Sequence, residues 1–399
     1  MKVSIYEGIE KIIQERIELK TKILPLENAI GKVCAKTLKA TLSLPRFDNS
    51  AMDGYALKGR FDSYKIVGKI LAGDDKDIEL KSGECIKITT GAKTPASADT
   101  VIPQENVSVK DNTIMIEKEV KTGANIRKTG EDIKSGEVII EKGSKITSNF
   151  ISLLASQGVT HIEVFHTPKV AVFASGSELK MPYEELGNSQ IYNSNTPYLM
   201  ARIKELGCDV SFIGKSEDSL EALKNLIKNA LEFDLIVTTG GVSVGEADFT
   251  KEAFKSLGFE ALFEKVDIKP GKPTTVGMID KTFVINLPGN PLASALNFEI
   301  FGKLLINRLG GYDEIYHNFI ECPISEDFSK NRPVATVVPG SFDGKEFTIA
   351  KQFSPNMVNV LNHCNGFVVL KNSVKAGDIV KFLPINWEFY SKEFKEFLS

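Results

Sequence analysis

The chain has 399 residues, with 49 basic and 52 acidic side chains and a formal net charge of −3. This near-neutral balance, without a long run of Lys and Arg, argues against nucleic acid or an anionic membrane surface as the main partner. Because 42% of the residues are apolar and no stretch approaches the roughly 20 apolar residues of a membrane span, we expect a globular protein. The first residues have the pattern of an amphipathic helix and not of a signal peptide, so we expect a cytoplasmic location.

The cysteines and histidines have no spacing typical of zinc ligands or of a disulfide framework. They are widely separated along the chain, at Cys34, Cys85, Cys208, Cys322, Cys364, His161, His166, His317 and His363. Any metal is therefore expected to be a hard cation held by carboxylates and substrate oxygens. A protein that needs no metal is the alternative at this point.

The first part of the chain combines the opening helix with a long β-rich stretch. Short apolar runs separated by Gly, Asp, Asn and Pro clusters predict about four to six strands over residues 64–125, as in a small barrel or sandwich. Residues 126–165 have a mixed character, with a helix predicted near 148–157 and a strand at 161–165.

From about residue 168, strands and helices alternate along the chain. Residues 169–175 and 233–241 are continuous apolar runs, which are typical of strands buried on both faces. Helical spacing of apolar residues predicts the helices between such strands and a long closing helix at 290–309. The alternation predicts a doubly wound α/β domain with a mostly parallel sheet. Beyond Gly310 the β pattern returns and predicts a C-terminal β-domain of roughly 85 residues.

Four predicted strand ends of the α/β part carry glycine-rich or proline-rich turns. These turns are residues 175–178, 238–241, 269–273 and 287–291. Ligands of open α/β sheets bind beyond the carboxyl ends of the strands, where glycines let backbone N–H groups and helix N-termini approach an anion. A loop that merely requires a positive φ explains one such turn, but four at one edge indicate an anion-binding site.

Three carboxylates follow these strands and predict a magnesium site. Glu178 follows the first strand, Asp218 follows the second, and Asp248 lies seven residues beyond the Gly240–Gly241 turn. Together they would hold Mg²⁺ through water and phosphate oxygens. The alternative is that each is the N-cap or a first-turn acid of a helix, which is an even choice for Asp218.

Positive charge comes from one segment of the α/β part. Lys265, Asp267 and Lys269 alternate along a predicted strand and therefore share one face. Lys272 follows in a turn between two prolines. Lysines beside glycine-rich turns suit phosphate or another oxyanion, whereas an ordinary solvated basic face is the alternative.

A second set of polar residues lies far away in the sequence. Residues 44–57 and 87–95 are too polar and too rich in glycine for core strands, although they contain Phe47, Met52 and Tyr55. We interpret them, with residues 127–139, as ligand-contact loops. They carry Asp48, Asn49, Ser50, Asp53, Thr89, Thr90, Gly91, Arg127, Glu131 and Asp132. An ordinary turn explains each of these residues alone.

Six motifs occur in an order that resembles the MoeA family of molybdopterin molybdenumtransferases, which is related to the E domain of gephyrin. The motifs span essentially the whole chain and are PRFDNSAMDGYAL, TTGAKTPASADTVIPQE, RKTGEDIKSGE, TTGGVSVGEADFTK, IKPGKPT and NLPGNPLASA. The resemblance implies a multidomain α/β plus β fold. A doubly wound domain similar to the molybdopterin adenylyltransferases would be joined by an inserted small β-domain and a C-terminal β-barrel. The boundaries expected are 1–52 with 127–167 for a discontinuous mixed α/β linker domain, 53–126 for the inserted domain, 168–310 for the α/β domain and 311–399 for the barrel.

The resemblance also implies molybdenum cofactor biosynthesis, by Mg²⁺-dependent insertion of molybdate into adenylylated molybdopterin with release of AMP. Matched motif by motif, the catalytic residues of the family fall on Asp53, Asp132, Glu178, Asp218, Asp248, Lys265 and Lys269. The expected Mg²⁺ ligands are Glu178, Asp218 and Asp248. The expected substrate-binding residues are Thr90, Gly91, Ser175, Gly176, Thr239, Gly240, Gly241, Ser243, Gly245, Lys272, Pro288, Gly289, Asn290 and Ser354.

In this family the active cleft lies between the α/β domain of one subunit and the inserted β-domain of the other, so a homodimer would unite the two sets of residues. One region departs from the family pattern, because residues 331–340 hold Arg332 without the usual second arginine, and Ser354 matches only loosely. Two alternatives stay open: an adenylyltransferase of the preceding step, which usually lacks the β-domains, and a gephyrin-like scaffold protein. The adenylyltransferase is also a candidate partner. The sequence does not distinguish molybdate from tungstate.

Overall fold

A computed structural model describes residues 1–76, 78–216, 219–240, 247–330 and 333–386, without the side chains of residues 216 and 247–249. By its own contacts the chain divides into two compact units. Unit 1 comprises Met1–Ala35, Gly143–Ile146 and the chain from Ile162 onward, and unit 2 comprises Lys36–Lys142 and Thr147–His161. Within the described ranges, no helix is both long enough and apolar enough to cross a membrane. The division into four domains stays a prediction.

Unit 1 begins with a short strand and the predicted amphipathic helix. The elements are β1 (Lys2–Val3), α1 (Ile5–Gln14), β2 (Thr21–Pro25) and a 3-10 helix at Leu26–Asn28. The hydroxyl of Ser4 accepts a hydrogen bond from the N–H of Glu7 at 3.2 Å, and the Glu7 carboxylate accepts one from the N–H of Ser4 at 2.6 Å. This capping box satisfies two helix-end donors. Ile12 is fully buried, so the predicted helix is confirmed.

Unit 2 is built around one six-stranded sheet. Its elements are β3 (Leu38–Lys39), β4 (Asn49–Ser50), β5 (Gly54–Leu57), β6 (Ser63–Ile70), β7 (Glu84–Ile88), β8 (Thr100–Pro103), a 3-10 helix at Gln104–Asn106, β9 (Val107–Lys110), β10 (Thr113–Ile116), β11 (Ile126–Arg127), β12 (Val138–Ile140) and α2 (Ser148–Ser156). The strand order is β8-β5-β7-β6-β10-β9, and only the β6–β7 pair is parallel. Apolar clusters cover both faces, around Ile86 and Val101 on one and around Tyr55 and Ile102 on the other. The pairs β4–β11 and β3–β12 form two short antiparallel ribbons.

The interpretation of residues 44–57 as a ligand loop throughout is wrong at its end. Gly54–Leu57 forms β5, whose four residues are buried between β8 and β7, so Tyr55 belongs to the core. Gly54 is required there, because a Cβ would lie 1.9 Å from the carbonyl oxygen of Ile102 on the neighbouring strand. Phe47 and Met52 do stay exposed. An apolar run of three residues is too short to show the alternation by which a strand is recognised.

The α/β part of unit 1 contains most of its regular structure. Its elements are β13 (His161–Phe165), β14 (Lys169–Ser175), β15 (Leu179–Lys180), β16 (Ile191–Tyr192), α3 (Asn195–Glu205), β17 (Asp209–Ser216), α4 (Leu220–Ala230), β18 (Leu235–Thr239), α5 (Ala247–Ser256), β19 (Glu260–Phe263), β20 (Lys265–Val266), β21 (Ile268–Lys269), β22 (Thr275–Ile279), β23 (Thr282–Leu287), α6 (Pro291–Asn297) and α7 (Lys303–Leu309). The main sheet has the order β17-β14-β18-β23-β22-β19, and its first four strands are parallel.

Helices cover both faces of this sheet, which confirms the doubly wound fold. Leu199 of α3 and Leu296 of α6 share one core with Val172 of β14. On the opposite face, Leu223 of α4 packs in a second core with Phe173 of β14. Successive residues of β14 therefore point to opposite faces, and both faces are dry, as the continuous apolar run predicts.

Three details of the α/β part differ from the sequence-based expectations. Strand β22 was missed, because a two-residue turn with Asp280 at φ +50° joins it to β23 and no helix separates the two strands. The long closing helix is interrupted by a π-helical segment at Phe298–Gly302 between α6 and α7. The N-cap of α4 is Ser219, whose hydroxyl accepts from the N–H of Ala222 at 3.1 Å, so the capping role does not fall to Asp218.

The C-terminal part of unit 1 is a small β-barrel. Its elements are β24 (Ile320–Pro323), β25 (Ala335–Phe342), β26 (Phe347–Ile349), a 3-10 helix at Asn359–His363, β27 (Gly366–Leu370) and β28 (Ile379–Pro384). The order is β26-β25-β27-β28-β24, and a bridge between Ile324 and Phe347 closes the ring. Strand β21 of the α/β part joins this sheet, since Ile268 pairs with Ala335 in β25. The lysine segment is thus attached to the barrel.

Candidate functional site

The turns that follow the strands of the α/β part meet at one edge of the main sheet. Thr239 at the end of β18 is in register with Ala174 of β14 and with Leu287 at the end of β23. Thr275 at the start of the antiparallel strand β22 lies opposite Asn286, so the turn that precedes β22 reaches the same edge. The structure therefore brings together all four turn segments that the sequence singled out.

Three of these segments touch through their backbones. Gly240 has φ +89°, and a Cβ on it would lie 2.3 Å from the carbonyl oxygen of Ser175. A Cβ on Gly289 would lie 3.7 Å from the Cα of Gly240. The contact brings the backbones of these turns together without intervening side chains, and Gly289 is exposed there to an approaching ligand.

A buried asparagine that the sequence reasoning missed joins two of the turns. Nδ2 of Asn195, the first residue of α3, donates to the hydroxyl of Thr239 at 3.1 Å and to the carbonyl of Gly289 at 2.7 Å. The residue is 9% exposed. A polar residue opening a helix after a strand was the only sequence signal for it, because its partners lie 44 and 94 residues away.

Glu178 lies on the surface beside this edge. A Cβ on Gly176 would lie 2.7 and 2.8 Å from its two carboxylate oxygens, so the carboxylate lies against the Gly176 backbone. The next helix begins only at Asn195, so Glu178 is not a helix cap. In the described ranges, no side chain forms a hydrogen bond or ion pair with this carboxylate, which leaves it available to a cation.

The predicted magnesium ligands can be tested only in part. Among the described residues, no group of three His, Cys, Asp or Glu side chains could hold a metal. Asp218 lies outside the described residues, as do Gly241, Ser243, Gly245 and Arg332, and only the backbone of Asp248 is described, in the first turn of α5. Mg²⁺ is commonly held by one or two carboxylates plus substrate phosphates. The exposed, unpartnered carboxylate of Glu178 fits one such ligand.

The lysine segment is exposed at the same edge but is not one strand. Lys265 lies in β20 and Lys269 in β21, and these strands pair with β1 and β25 respectively. The predicted alternation holds, since Lys265 and Lys269 are exposed while the intervening Val266 is buried. The carbonyl of Lys272 accepts from the N–H of Val266 at 2.9 Å, which folds the turn back onto β20.

In the turn before α6, two of the helix-end donors are already engaged by the barrel. Asn290 occupies the N-cap position of α6, and Pro288 precedes it. The N–H groups of Leu292 and Ala293 donate to the carbonyl of Pro355 at 3.0 and 3.4 Å, so these helix-end donors are already occupied. Ser354, whose hydroxyl bonds to Asn356, is the residue before this carbonyl. The barrel therefore contributes to the edge through the carbonyl of Pro355, and substrate binding by Ser354 stays a prediction.

In unit 2, two of the predicted loops are joined by Asp53. Its carboxylate accepts from the N–H and the hydroxyl of Thr90 at 2.7 and 3.1 Å. The carbonyl of Ser50 accepts from the N–H of Gly91 at 2.8 Å. Asp53, Thr90 and Gly91 are all exposed at this junction.

The third loop of unit 2 is held by Asp48. Its carboxylate accepts from Nζ of Lys128 at 2.7 Å and from the N–H and hydroxyl of Thr129 at 2.9 and 3.0 Å. Asp132 follows with an exposed side chain, and its N–H donates to the carbonyl of Leu44. Arg127 pairs with Asn49 across β4 and β11. The carboxylates of Asp48 and Asp53 thus both have donors within the protein, and the side chains of Asp53 and Asp132 are exposed.

The Asp48 contacts predict a pH-dependent stability. The hydrogen bonds from Lys128 and Thr129 hold the pKa of Asp48 below its ordinary value. The stability that these hydrogen bonds contribute is fully present above about pH 3.9, the pKa of Asp48 in the unfolded chain. It is lost as the pH falls through the lower pKa of Asp48 in the folded protein. We expect Asp48→Asn to destabilise the protein by less than about 1 kcal/mol at neutral pH, because the pair is partly exposed.

Urea unfolding at about pH 7 and about pH 3 measures this difference. The matched control is Asp62→Asn, since Asp62 is exposed in the same unit and its carboxylate has no donor in the part of the chain that the structure describes. The prediction would be contradicted if the difference in free energy of unfolding between the wild type and Asp48→Asn became larger at the lower pH.

Comparison with known proteins identifies relatives along essentially the whole chain. Residues 3–158 match the model of the MoeA N-terminal region, domains I and II, and residues 171–308 match that of a probable molybdopterin binding domain. A molybdopterin molybdenumtransferase of Staphylococcus epidermidis is 33% identical over 98% of this chain and 97% of its own length. One of Staphylococcus aureus is 32% identical over 96% of this chain and 95% of its own.

A solved structure agrees with these relatives. The crystal structure of the molybdopterin biosynthesis MoeA protein from Pyrococcus horikosii has a TM-score of 0.82 and 28% identity, covering 97% of this chain and 100% of that chain. This similarity includes both β-rich parts as well as the doubly wound sheet. The chain therefore belongs to the family of molybdopterin molybdenumtransferases, which are enzymes of molybdenum cofactor biosynthesis.

Proposed function

We propose that this enzyme inserts molybdate into adenylylated molybdopterin in the cytoplasm, with Mg²⁺, and releases AMP. The observation that carries the proposal is the meeting of the Ser175, Gly240 and Gly289 turns at the edge that also exposes Lys265 and Lys269. Peptide groups and ammonium groups at one place suit a substrate with phosphate groups and an oxyanion.

The residues of this edge have separate tasks in the proposed reaction. The Gly240 and Gly289 turns would hold the phosphate groups of the substrate by their backbone. Lys265, Lys269 and Lys272 would neutralise molybdate and the departing AMP, because transition-state charge is stabilised by groups already in place. Glu178 would hold Mg²⁺ together with substrate oxygens, and the metal would supply polarisation of the phosphoanhydride.

Molybdenum is expected to bind the dithiolene sulfurs of the substrate and no protein thiol. Cys34, Cys85, Cys208 and Cys322 are buried. Burial raises the pKa of Cys85 and of Cys208 to about 12, so these two side chains are neutral thiols near neutral pH. This supports a role for the protein in holding the charges of the substrate while the substrate itself supplies the sulfur ligands.

The exposed residues Asp53, Thr90 and Asp132 of unit 2 would complete the site from the other subunit of a homodimer. The exposure of these residues and the resemblance to the family support this part of the proposal. A monomer in light scattering would remove it. Contact with the molybdopterin adenylyltransferase, which supplies the substrate, belongs to the same proposal.

The test of the function is release of AMP from adenylylated molybdopterin by the purified protein. We expect release that requires Mg²⁺ and an oxyanion, with molybdate and tungstate compared side by side. Glu178→Gln and Lys269→Ala should each lower kcat by about a hundredfold, as loss of one electrostatic contact to the transition state does. Glu18→Gln is the control, since Glu18 is exposed and pairs with Lys281 in the turn between β22 and β23, away from the edge.

Two results would contradict the proposal. ATP-dependent formation of adenylylated molybdopterin, without oxyanion-dependent AMP release, would favour an adenylyltransferase. If Glu178→Gln and Lys269→Ala both release AMP at the wild-type rate, this edge of the sheet has no part in the reaction.

A further inference from the structure

The first strand of the chain lies directly beside the lysine segment. Strand β1 pairs in parallel with β20, and the register places Lys2 opposite Lys265 and Val3 opposite Val266. Nζ of Lys2 lies 2.7 Å from Oδ1 of Asp267. Both side chains are about half exposed, at 50% and 41%, so this ion pair lies at the protein surface, as the site lysines do.

Asp267 is the only acidic residue between Lys265 and Lys269 in the sequence. Alternation of the segment exposes Lys265 and Lys269 while Val266 and Ile268 are buried, which leaves Asp267 on the side of the two lysines. A carboxylate there would lower the attraction for an oxyanion, either by its own charge or by pairing with a site lysine. Its ion pair with Lys2 removes both effects.

We propose that Lys2 is a positioning residue of the oxyanion site, where it neutralises Asp267 and so leaves Lys265 and Lys269 free to bind molybdate. The inference rests on the proposed function for the identity of the anion. It assigns a role in the reaction to Lys2, which lies outside the six motifs that define the family.

The size of the effect follows from charge alone. Removal of one unit charge within a Debye length of a bound dianion weakens binding by about threefold at low ionic strength, and salt screens the difference. Because Lys2 acts through Asp267, removing the Asp267 carboxylate as well should cancel the loss of molybdate affinity that removal of Lys2 causes. A purely structural role of Lys2 in holding β1 predicts no such cancellation.

The experiment measures KM for molybdate, and separately the equilibrium binding of molybdate by calorimetry, in the full-length protein. At about 20 mM salt we expect Lys2→Ala to raise KM and Kd about threefold with kcat unchanged, and Asp267→Asn to lower both. The double variant should return to the wild-type values, and all differences should shrink at about 300 mM salt. Lys281→Ala is the matched control, because it breaks an exposed ion pair of 3.0 Å with Glu18 and should change neither constant.

Two outcomes overturn the inference. One is an unchanged KM and Kd in Lys2→Ala at low salt, and the other is a double variant that remains as weak as Lys2→Ala. If the wild type binds molybdate with these charge effects but releases no AMP, the proposed reaction fails and the assignment of Lys2 stands. If the wild type releases AMP but the variants show no charge effects, the proposed reaction stands and the assignment of Lys2 fails.

Discussion

Replacement of Glu299 by glutamine is expected to lower the free energy of unfolding by about 3–5 kcal/mol. Its carboxylate accepts from Nε of Arg202 at 2.6 Å and from Nη2 at 3.1 Å, in a fork between the π-helical segment and α3. The Arg202 and Glu299 side chains are only 9% and 2% exposed. Without the negative charge, a buried guanidinium keeps its desolvation cost and loses its main counter-charge.

The control for this prediction uses the same arginine. Glu205 contacts Nη1 of Arg202 at 2.9 Å, but its side chain is 61% exposed. Glu205→Gln should therefore cost less than about 1 kcal/mol in urea unfolding, as exposed ion pairs do. Equal losses in Glu205→Gln and Glu299→Gln would show that burial does not decide the strength of this pair.

A second variant separates the cost of an unpaired charge from loss of packing. Arg202→Met combined with Glu299→Leu removes both charges and keeps apolar volume, so its loss should be smaller than that of Glu299→Gln alone. Nη2 of Arg202 also donates to the carbonyl of Ile385 at 3.0 Å, at the end of β28. Arg202 therefore connects α3, which begins with Asn195, to the barrel.

Gly271→Ala is expected to cost about 2–4 kcal/mol and to reduce AMP release strongly. Gly271 has φ +108°, and a Cβ would lie 1.8 Å from Nδ2 of Asn297. That amide is fully buried and donates to the carbonyls of Pro270 and Ala293 at 3.1 and 2.7 Å, so it has no room to turn away. The strain falls between Lys269 and Lys272, which would move from the edge.

Gly258→Ala is the matched control for this variant. Gly258 has a similar φ of +82°, but nothing lies within 4 Å of the position of its Cβ. It should lose only the conformational cost of about 1 kcal/mol and keep its activity. Thermal unfolding and AMP release of both variants measure the difference, and losses of equal size would mean that the Asn297 contact does not hold the lysine turn.

The doubly wound sheet was predictable because its signals are local. Strand β14 is a continuous apolar run, because it packs against a hydrophobic core on each face of the sheet. Helix α4 has apolar residues at helical spacing. Strands β5 and β22 were not predicted, since β5 offers only three apolar residues and β22 is joined to β23 without a helix. In both cases pairing with neighbours, and not propensity, makes the strand.

Some features of the candidate site were likewise predictable from the sequence, and others were not. The glycines of the turns and the lysines were visible in the sequence, because their residue types suit an anion wherever they lie. The bond from Asn195 to Gly289 and the capping of α6 by Pro355 were not, because each joins residues more than 60 positions apart.

The amino-acid sequence by itself determined the alternation of strands and helices that makes the α/β part doubly wound, the residue types of its turns and the family of the chain. Only the tertiary structure decided which donors at the sheet edge are already occupied, which carboxylates already have partners, and that Lys2 lies beside Lys265. The physical reason is that propensity and periodicity act within a few residues, whereas hydrogen bonds and charges act through space between segments that only the folded chain brings together.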